Sequence, residues 1–449
     1  MKRIGALMLV AILALSFAGA QDGGFNFQAG IVLGTDVIAV PGSTTGETQT
    51  WNRLGFQPDL SFGPFGLGLD LSLRFQLSSL SGNAVEIYQG DWVPDYEGSG
   101  KSFLDLYLPK IMYLRYGFRG DPLYAKFGSI EDFTLGNGFI VGNYANTRFL
   151  PGQRLFGMQF NLDGQLFGFP YLGIELLAGN VAQFDVVGGR LFVRPLIDTG
   201  LPLLEDLQVG ATAAIDTKPE LYIPEVDQAD LDLVAVYGAD LFLPIVKSQA
   251  FPLAAFSELA FQPKGRSGFM VGAGGRLLGL ITYGAQIRAM SAGFIPNYFD
   301  ANYDLFRAVK ANVMQTTPSG EGSVGWLAKA GASLFDDVIY FDVGVDGPFK
   351  AIPATASANP AEYPHLRAVA GIGEGLLGGF FFNFAYDKYF IGKDGAFFEE
   401  LVDPTDAVIT AAVNFRSGAA VFTLLYNLNY NPATNDFDVT SSLQSSIKF

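Results

Sequence analysis

Gly66-Leu67-Gly68-Leu69-Asp70-Leu71-Ser72-Leu73-Arg74-Phe75-Gln76-Leu77 places an apolar side chain at every second position against glycine, acid, hydroxyl, guanidinium and amide. Successive side chains of a β-strand point to opposite faces, so the segment reads as a ribbon with one greasy side and one wet side. The division recurs along the chain. Phe156, Met158, Phe160 and Leu162 oppose Gln159, Asn161 and Asp163, and Leu207, Val209, Ala211, Ala213 and Ile215 oppose Gln208, Thr212 and Asp216. Ile339, Phe341, Val343 and Val345 oppose Tyr340, Asp342 and Asp346, and Phe380, Phe382, Phe384 and Tyr386 oppose Asn383 and Asp387. A soluble sandwich alternates too, but its strands run to about 5 or 6 residues, against about 9 to 11 for a strand that crosses a membrane.

Composition points to lipid: 49% of the 449 residues are hydrophobic and the mean hydropathy is +0.27. Beyond the first twenty residues, no apolar stretch reaches the length of a spanning helix without a polar interruption. Only helices and closed barrels satisfy their backbone hydrogen bonds inside a bilayer, so a barrel is what remains. The 55 glycines suit tight turns, and the 14% aromatic content suits interfacial girdles.

Connections supply a second test, because membrane barrels alternate short periplasmic turns with longer extracellular loops. The long segments are the one ending at Thr50, Ser78 to Lys101, Glu131 to Gln153, Thr217 to Asp232, Ala292 to Gly322, Gly347 to Tyr363 and Phe390 to Thr405. Between them lie short turns at Gly63 to Gly66, Arg119 to Pro122, Gly164 to Phe169, Lys247 to Ala250, Leu278, Asp336-Asp337, Glu374 to Gly379 and Arg416 to Gly418. Two outer connections, near Asn180 to Asp185 and Pro263 to Arg266, are short. The expected fold is all-β: a single transmembrane antiparallel up-and-down barrel of about 18 to 20 strands, with 16 as the lower limit if those two are misread.

The chain ends fit export. Lys2 and Arg3 precede an apolar run from Ile4 to Ala18 that closes on Ala18-Gly19-Ala20, the order of a secretory signal peptide cleaved after Ala20. Residues 1–20 are thus expected to leave, and 21–449 to form the barrel domain in the outer membrane of a Gram-negative-type bacterium. The absence of cysteine excludes disulfides, thiolate metal sites and a lipidated anchor. The last twelve residues alternate strictly and end on Phe449, which resembles the signal that outer-membrane barrels present to their assembly machinery.

The formal charge of −16 becomes −18 once Lys2 and Arg3 leave, so nucleic acid is not an expected partner. The acids gather between strands: Asp91, Asp95 and Glu97; Glu220, Glu225, Asp227, Asp230 and Asp232; Asp394, Glu399, Glu400, Asp403 and Asp406. These clusters read as solvated loops or as carboxylates for divalent cations beside outer-membrane lipid.

A central stretch carries a resemblance. Leu108-Pro109-Lys110-Ile111-Met112-Tyr113-Leu114-Arg115-Tyr116-Gly117 leads through Asp121-Pro122-Leu123-Tyr124 into Phe127-Gly128-Ser129. Leu135-Gly136-Asn137-Gly138-Phe139-Ile140 and Asn143-Tyr144-Ala145-Asn146-Thr147 follow, then Val187-Gly188-Gly189-Arg190 and Arg194-Pro195-Leu196. From about Leu104 to Ile215 the chain resembles a group of uncharacterised porin-like bacterial outer-membrane barrel proteins. The resemblance implies a barrel at the cell surface and names no solute.

A barrel of this size encloses a lumen, an aqueous channel in porins of 16 to 18 strands. Alternation places Arg74, Arg115, Lys126, Arg190, Arg194, Arg288, Lys329, Arg367, Arg416 and Lys448 inside, with Asp70, Asp163, Asp216, Asp342 and Asp346. Basic groups on the lipid face cost roughly 2 to 4 kcal/mol near the midplane, so these must mostly face water. They either brace the wall as salt bridges or form a field that sorts small polar solutes. The segment Glu131 to Gln153 combines Phe133, Leu135, Phe139 and Ile140 with Gly136, Asn137, Gly138 and Gly142, a makeup that suits a loop folded inward as a constriction, or else an outer-rim loop or strand extension.

The expected activity is passive diffusion of small polar or charged solutes, with no cofactor, no metal and no enzymatic chemistry. His365 is the single histidine and has no nucleophile motif beside it. Gly373-Glu374-Gly375-Leu376-Leu377-Gly378 has the spacing of a dinucleotide loop without a βαβ unit around it. The rivals are a barrel for hydrophobic compounds like the long-chain fatty-acid transporters, and a surface adhesin or structural barrel with a closed lumen. A strand is expected almost directly after Gln21, which leaves the first rival without its N-terminal hatch.

Overall fold

The computed structural model describes residues 25–39, 48–77, 85–96, 99–150, 152–222, 230–335, 338–351, 357–418, 420–431 and 436–448. The expected leader up to Ala20, the expected turn Asp336-Asp337, Phe449, the side chain of Lys448, and Glu97, Glu225 and Asp227 lie outside them.

Among the described residues, twenty wall strands follow one another antiparallel around a single closed barrel. The last, Asp436–Lys448, pairs with the first, Phe25–Ala39, from Gly30 opposite Lys448 to Asp36 opposite Ser442. The number matches the upper end of the expected range; sixteen is too few. Both short outer connections are real. Leu172–Ala178 pairs with Val186–Val193 across one, and Leu253–Gln262 with Arg266–Leu277 across the other. There Gln262 stands opposite Arg266, and the turn closes through Lys264 and Gly265, both with positive φ (59° and 77°).

The turns at the other end are tighter still. Leu377 pairs with Phe380 across Gly378 and Gly379, both with positive φ (58° and 97°), as a two-residue hairpin of matching twist demands. Exposed aromatics cluster beside these turns, among them Phe62, Phe65, Phe118, Phe167, Phe169, Phe335 and Phe380, as in an interfacial girdle.

The wall is inside-out relative to a soluble protein. Along Gln208–Asp216, Ala211, Ala213 and Ile215 are exposed while Thr212, Ala214 and Asp216 are buried. Leu191, Leu241, Leu259, Phe269, Val271, Ile287 and Leu443 all face outward and are exposed, whereas Arg53, Gln159, Arg190, Asp240, Glu258, Arg288 and Asp387 are buried. Apolar outside and polar inside is the division that lipid imposes.

The ribbon Gly66 to Leu77 forms as Phe65–Leu69 and Leu71–Leu77, in unbroken register along Thr48–Phe62. The interruption at Asp70 comes from the opposite neighbour. The register on Ile111–Tyr116 shifts after Gly68, and the Asp70 amide donates to the Lys110 carbonyl at 2.7 Å. The wall between Lys101 and Arg119 is also shorter than alternation suggests. Ser102 and Asp105 close a reciprocal capping box that starts the helix Phe103–Tyr107, so the strand begins only at Ile111.

The packed core lies in the lumen. Its apolar residues come from wall strands between Leu177 and Met290 and from two long connections that fold inward. One carries the small hairpin Phe133–Leu135 and Val141–Tyr144; the other carries the helix Tyr303–Gln315.

Candidate functional site

The hairpin is seated on the wall by apolar contact and by hydrogen bonds at its tip. Leu135, Ile140, Val141 and Tyr144 are fully buried. A Cβ on the wall residue Gly238 would come within 3.0 Å of Ile140 Cδ1 and 2.1 Å of the Leu259 carbonyl, so glycine is required there. The amides of Asn137 and Phe139 donate to Glu258 Oε2 at 3.2 and 3.3 Å, and Asn137 Nδ2 donates to the carbonyls of Leu241 and Ser257, both at 3.0 Å. Gly136 adopts φ 58°, and a Cβ there would lie 3.1 Å from Asp240 Oδ2 and 3.3 Å from Arg190 Nε. Phe133, Leu135, Gly136, Asn137, Gly138 and Phe139 therefore stand inside the barrel, against strands Val234–Val246 and Leu253–Gln262.

The second inward segment meets the first through its backbone. The amides of Asn297 and Phe299 donate to the carbonyls of Phe139 and Ile140, and the Gly142 amide donates to that of Phe299. Helix Tyr303–Gln315 buries Tyr303, Phe306, Arg307, Lys310, Ala311, Val313 and Met314, a helical spacing. Arg307 binds Asp216 and Asp185 of the wall and its adjoining loop, and Tyr303 Oη donates to Asp216 at 2.6 Å. Arg266 closes the far end of the helix: its Nη2 donates to the carbonyls of Val313 (2.7 Å) and Thr316 (2.8 Å) and its Nη1 to that of Met314 (3.1 Å). Asp304 is buried beside Asp185 and Asp216. Burial, opposed by Arg307 and reinforced by those two carboxylates, pushes its carboxyl up to about 7.

The remaining lumen is a set of adjoining cavities. One of about 440 Å³ is lined by Arg53, Asp70, Arg74, Lys101, Lys110 and Arg154 among others. A second, of about 410 Å³, shares Leu150, Arg154 and Leu425 with it and adds Lys126 and Arg148. A third, of about 680 Å³, shares Glu131 with the second and is lined by Arg288, Lys329, Asp342, Asp346, His365 and Arg367.

Of the residues that alternation places inside, Asp70, Arg74, Lys126, Arg288, Lys329, Asp342, Asp346 and Arg367 line these cavities. The others whose side chains are described are used within the wall. Arg190 bonds Asp240 (2.6 Å) and Glu175 (3.3 Å) beneath the hairpin tip, and Asp216 holds the helix. Near the short turns, Arg194 pairs with Asp163 at 2.6 Å, Arg416 pairs with Glu374, and Arg115 donates to the Gly117 carbonyl over the ring of Phe118. Most lumen cations are paired: Arg53 with Asp70 and Arg288 with Asp346 at 2.6 Å each, and Arg74 with Asp36 and Asp91 at 3.1 and 3.0 Å. Among the described residues, Lys126 and Lys329 form no ion pair; Glu131 lines the same cavity as Lys126.

Sequence reasoning missed two features. Arg307, Lys310 and Tyr303 sit in a stretch valued only for its length, although its buried positions recur with helical period. His365 is bound at both ring nitrogens, by Asp346 (2.9 Å) and Asp387 (2.6 Å), and stacks on Tyr389 with ring centroids 4.4 Å apart. Arg367 binds the second oxygen of Asp387 at 2.6 Å. With both nitrogens facing carboxylates, the imidazole braces three strands across the wall of the cavity of about 680 Å³.

No protein-family model matches the chain, and no curated protein matches it. Among solved structures, it is similar to OccK8 (OprE) of Pseudomonas aeruginosa at 9% identity and TM-score 0.35, over 95% of this chain and 98% of that one. It is likewise similar to OccAB4 of Acinetobacter baumannii at 10% identity and TM-score 0.35, over 96% and 99% of the two chains. The outer membrane protein OprD of Pseudomonas aeruginosa follows at 10% identity and TM-score 0.32, over 95% and 94%. Values this low carry no argument; the closed antiparallel barrel of this chain stands on its own strand pairing.

Proposed function

We propose that the protein is an outer-membrane channel through which small polar or charged solutes diffuse, narrowed on one side by the hairpin at 133–144 and the helix at 303–315. The observation that carries this reading is the run of adjoining cavities inside a closed wall, lined by charged side chains, of which Lys126 and Lys329 form no ion pair among the described residues. Such a lining favours hydrated solutes over hydrophobic ones, and cations not locked in ion pairs hold a field to which passing solutes respond. Export by the leader at 1–20 and recognition of Phe449 by the assembly machinery belong to the same reading.

Planar-bilayer recording of the purified barrel tests it. Steady ohmic conductance is expected, and a barrel that inserts but stays electrically silent overturns the channel.

A further inference from the structure

The connection between strands Phe380–Lys388 and Ala407–Ser417 straddles the rim. Its first residues lie inside: Tyr389, Phe390 and Ile391 are buried, and rings of Tyr389 and Phe390 pack on Phe306 and Tyr363 at 4.8 and 5.4 Å between centroids. The chain then turns through Phe390 and Gly392, both with positive φ (55° and 89°). Glu400 gathers the amides of Gly392, Lys393 and Asp394, and a single helical turn, Phe397–Glu400, follows.

This second half lies against the outer face of the wall. Asp387 points inward, so Tyr386 and Lys388 on either side of it point out. Tyr386 Oη donates to the Leu401 carbonyl at 2.7 Å, and Lys388 Nζ donates to that of Thr405. Lys388 is thereby buried although it points away from the lumen, and Lys393 pairs with Asp406 at 3.2 Å to close the fold. The outermost residues are apolar: Phe398 and Val402 are 80% and 81% exposed, and Phe397 stands edge-on to Phe398 at 5.3 Å. Further along the same two strands, the outward residues Phe384 and Val413 are also exposed.

We propose that Gly392 to Asp406 forms a foot outside the barrel that sets Phe397, Phe398 and Val402 into the outer leaflet, at the boundary between acyl chains and headgroups. The proposal rests on the membrane-barrel reading. Lipid is the occupant because the patch continues the lipid-facing surface of its own strands, with Tyr386 placed as interfacial tyrosines are, its ring on the apolar side and its hydroxyl bonded at the rim. The exposed acids Glu399 and Asp403 beside it suit the headgroup side. The foot also covers Lys388, whose ammonium on an outward face would otherwise meet lipid unshielded.

The chain has no cysteine, so single nitroxide labels are clean. Full-length Phe398→Cys and, separately, Val402→Cys are labelled and reconstituted in phospholipid vesicles, with Val413→Cys as the lipid reference and Lys329→Cys as the water reference. Collision rates with oxygen and with a water-soluble nickel chelate are compared. At both foot positions oxygen is expected to dominate, approaching the ratio at Val413. Dominance of the chelate, as at Lys329, overturns the proposal, and so does shielding from both reagents, which means that protein covers the patch. If Val413 itself is reached by the chelate, the membrane reading fails first and the foot with it.

Discussion

Arg307 of the inward-folded helix binds Asp216 of the wall with two parallel hydrogen bonds, Nη2 to Oδ1 at 2.7 Å and Nε to Oδ2 at 3.1 Å, and both side chains are almost wholly buried. Planar guanidinium and carboxylate match in this fork, which makes the pair strong and directional. Removing one partner leaves the other charged and buried with its charge uncompensated.

Arg307→Met is therefore expected to loosen the helix at a cost of about 3 to 5 kcal/mol, because Asp216 and Asp185 are left uncompensated. Single-channel conductance should rise and become noisy while the barrel still inserts. Arg307→Lys should recover part of the effect, keeping the charge and losing the fork. Conductance identical to the parent in Arg307→Met would show that the helix does not narrow the path.

Asp304 predicts a pH dependence with a definite sign. Its carboxyl titrates at about 7 when folded, because burial disfavours its charge, and near an ordinary value of about 3.9 when unfolded. Between these values the folded chain holds the extra proton. Stability from this group is thus full below about pH 4 and is lost as pH rises toward 7, by at most about 1.4 kcal/mol per unit. The facing groups are Tyr144, Asp185, Asp216 and Arg307, so a charged Asp304 joins two other acids around one arginine. Thermal unfolding in detergent from pH 4 to 8 should show the decline, and Asp304→Asn should flatten it.

Deleting Thr134 to Asn146 should raise single-channel conductance, since the hairpin occupies lumen that nothing else would fill. Its seat on Glu258 and on Gly238 adds to the apolar contact, so point changes at the tip should act more weakly than the deletion. Unchanged conductance would discard the constriction.

Lys126→Glu and Lys329→Glu, made together, should shift the reversal potential in a salt gradient toward cations. Both ammonium groups face the cavities and, among the described residues, form no ion pair, so their reversal alters the field without breaking a bridge seen there. Salt should weaken the shift, with screening lengths of about 8 to 10 Å near physiological ionic strength.

Much of the wall was legible because lipid enforces a period of two. The ribbon from Gly66 to Leu77 declares its faces residue by residue, and the alternation of long and short connections leads to twenty strands. What was hidden lies where a different period or a distant partner decides. The buried face of Tyr303–Gln315 includes Arg307 and Lys310, so a search for an apolar stripe passes over it. The box of Ser102 and Asp105 marks a helix start inside a stretch that otherwise suits a strand. Partners were not legible either: Arg190 reaches Asp240 across an intervening strand, a choice set by barrel register rather than by spacing in the chain.

Because Phe25–Ala39 is hydrogen-bonded to Asp436–Lys448, the hoop is clasped by its first and last wall strands. The clasp cannot be made before the last wall strand is present, and until then the open wall presents bare edges that invite foreign strands. The hairpin and the helix lie between these two strands in the chain and so arrive before the last of them. Whatever fills the interior must be seated before the hoop shuts, or else slip in afterwards through an open mouth.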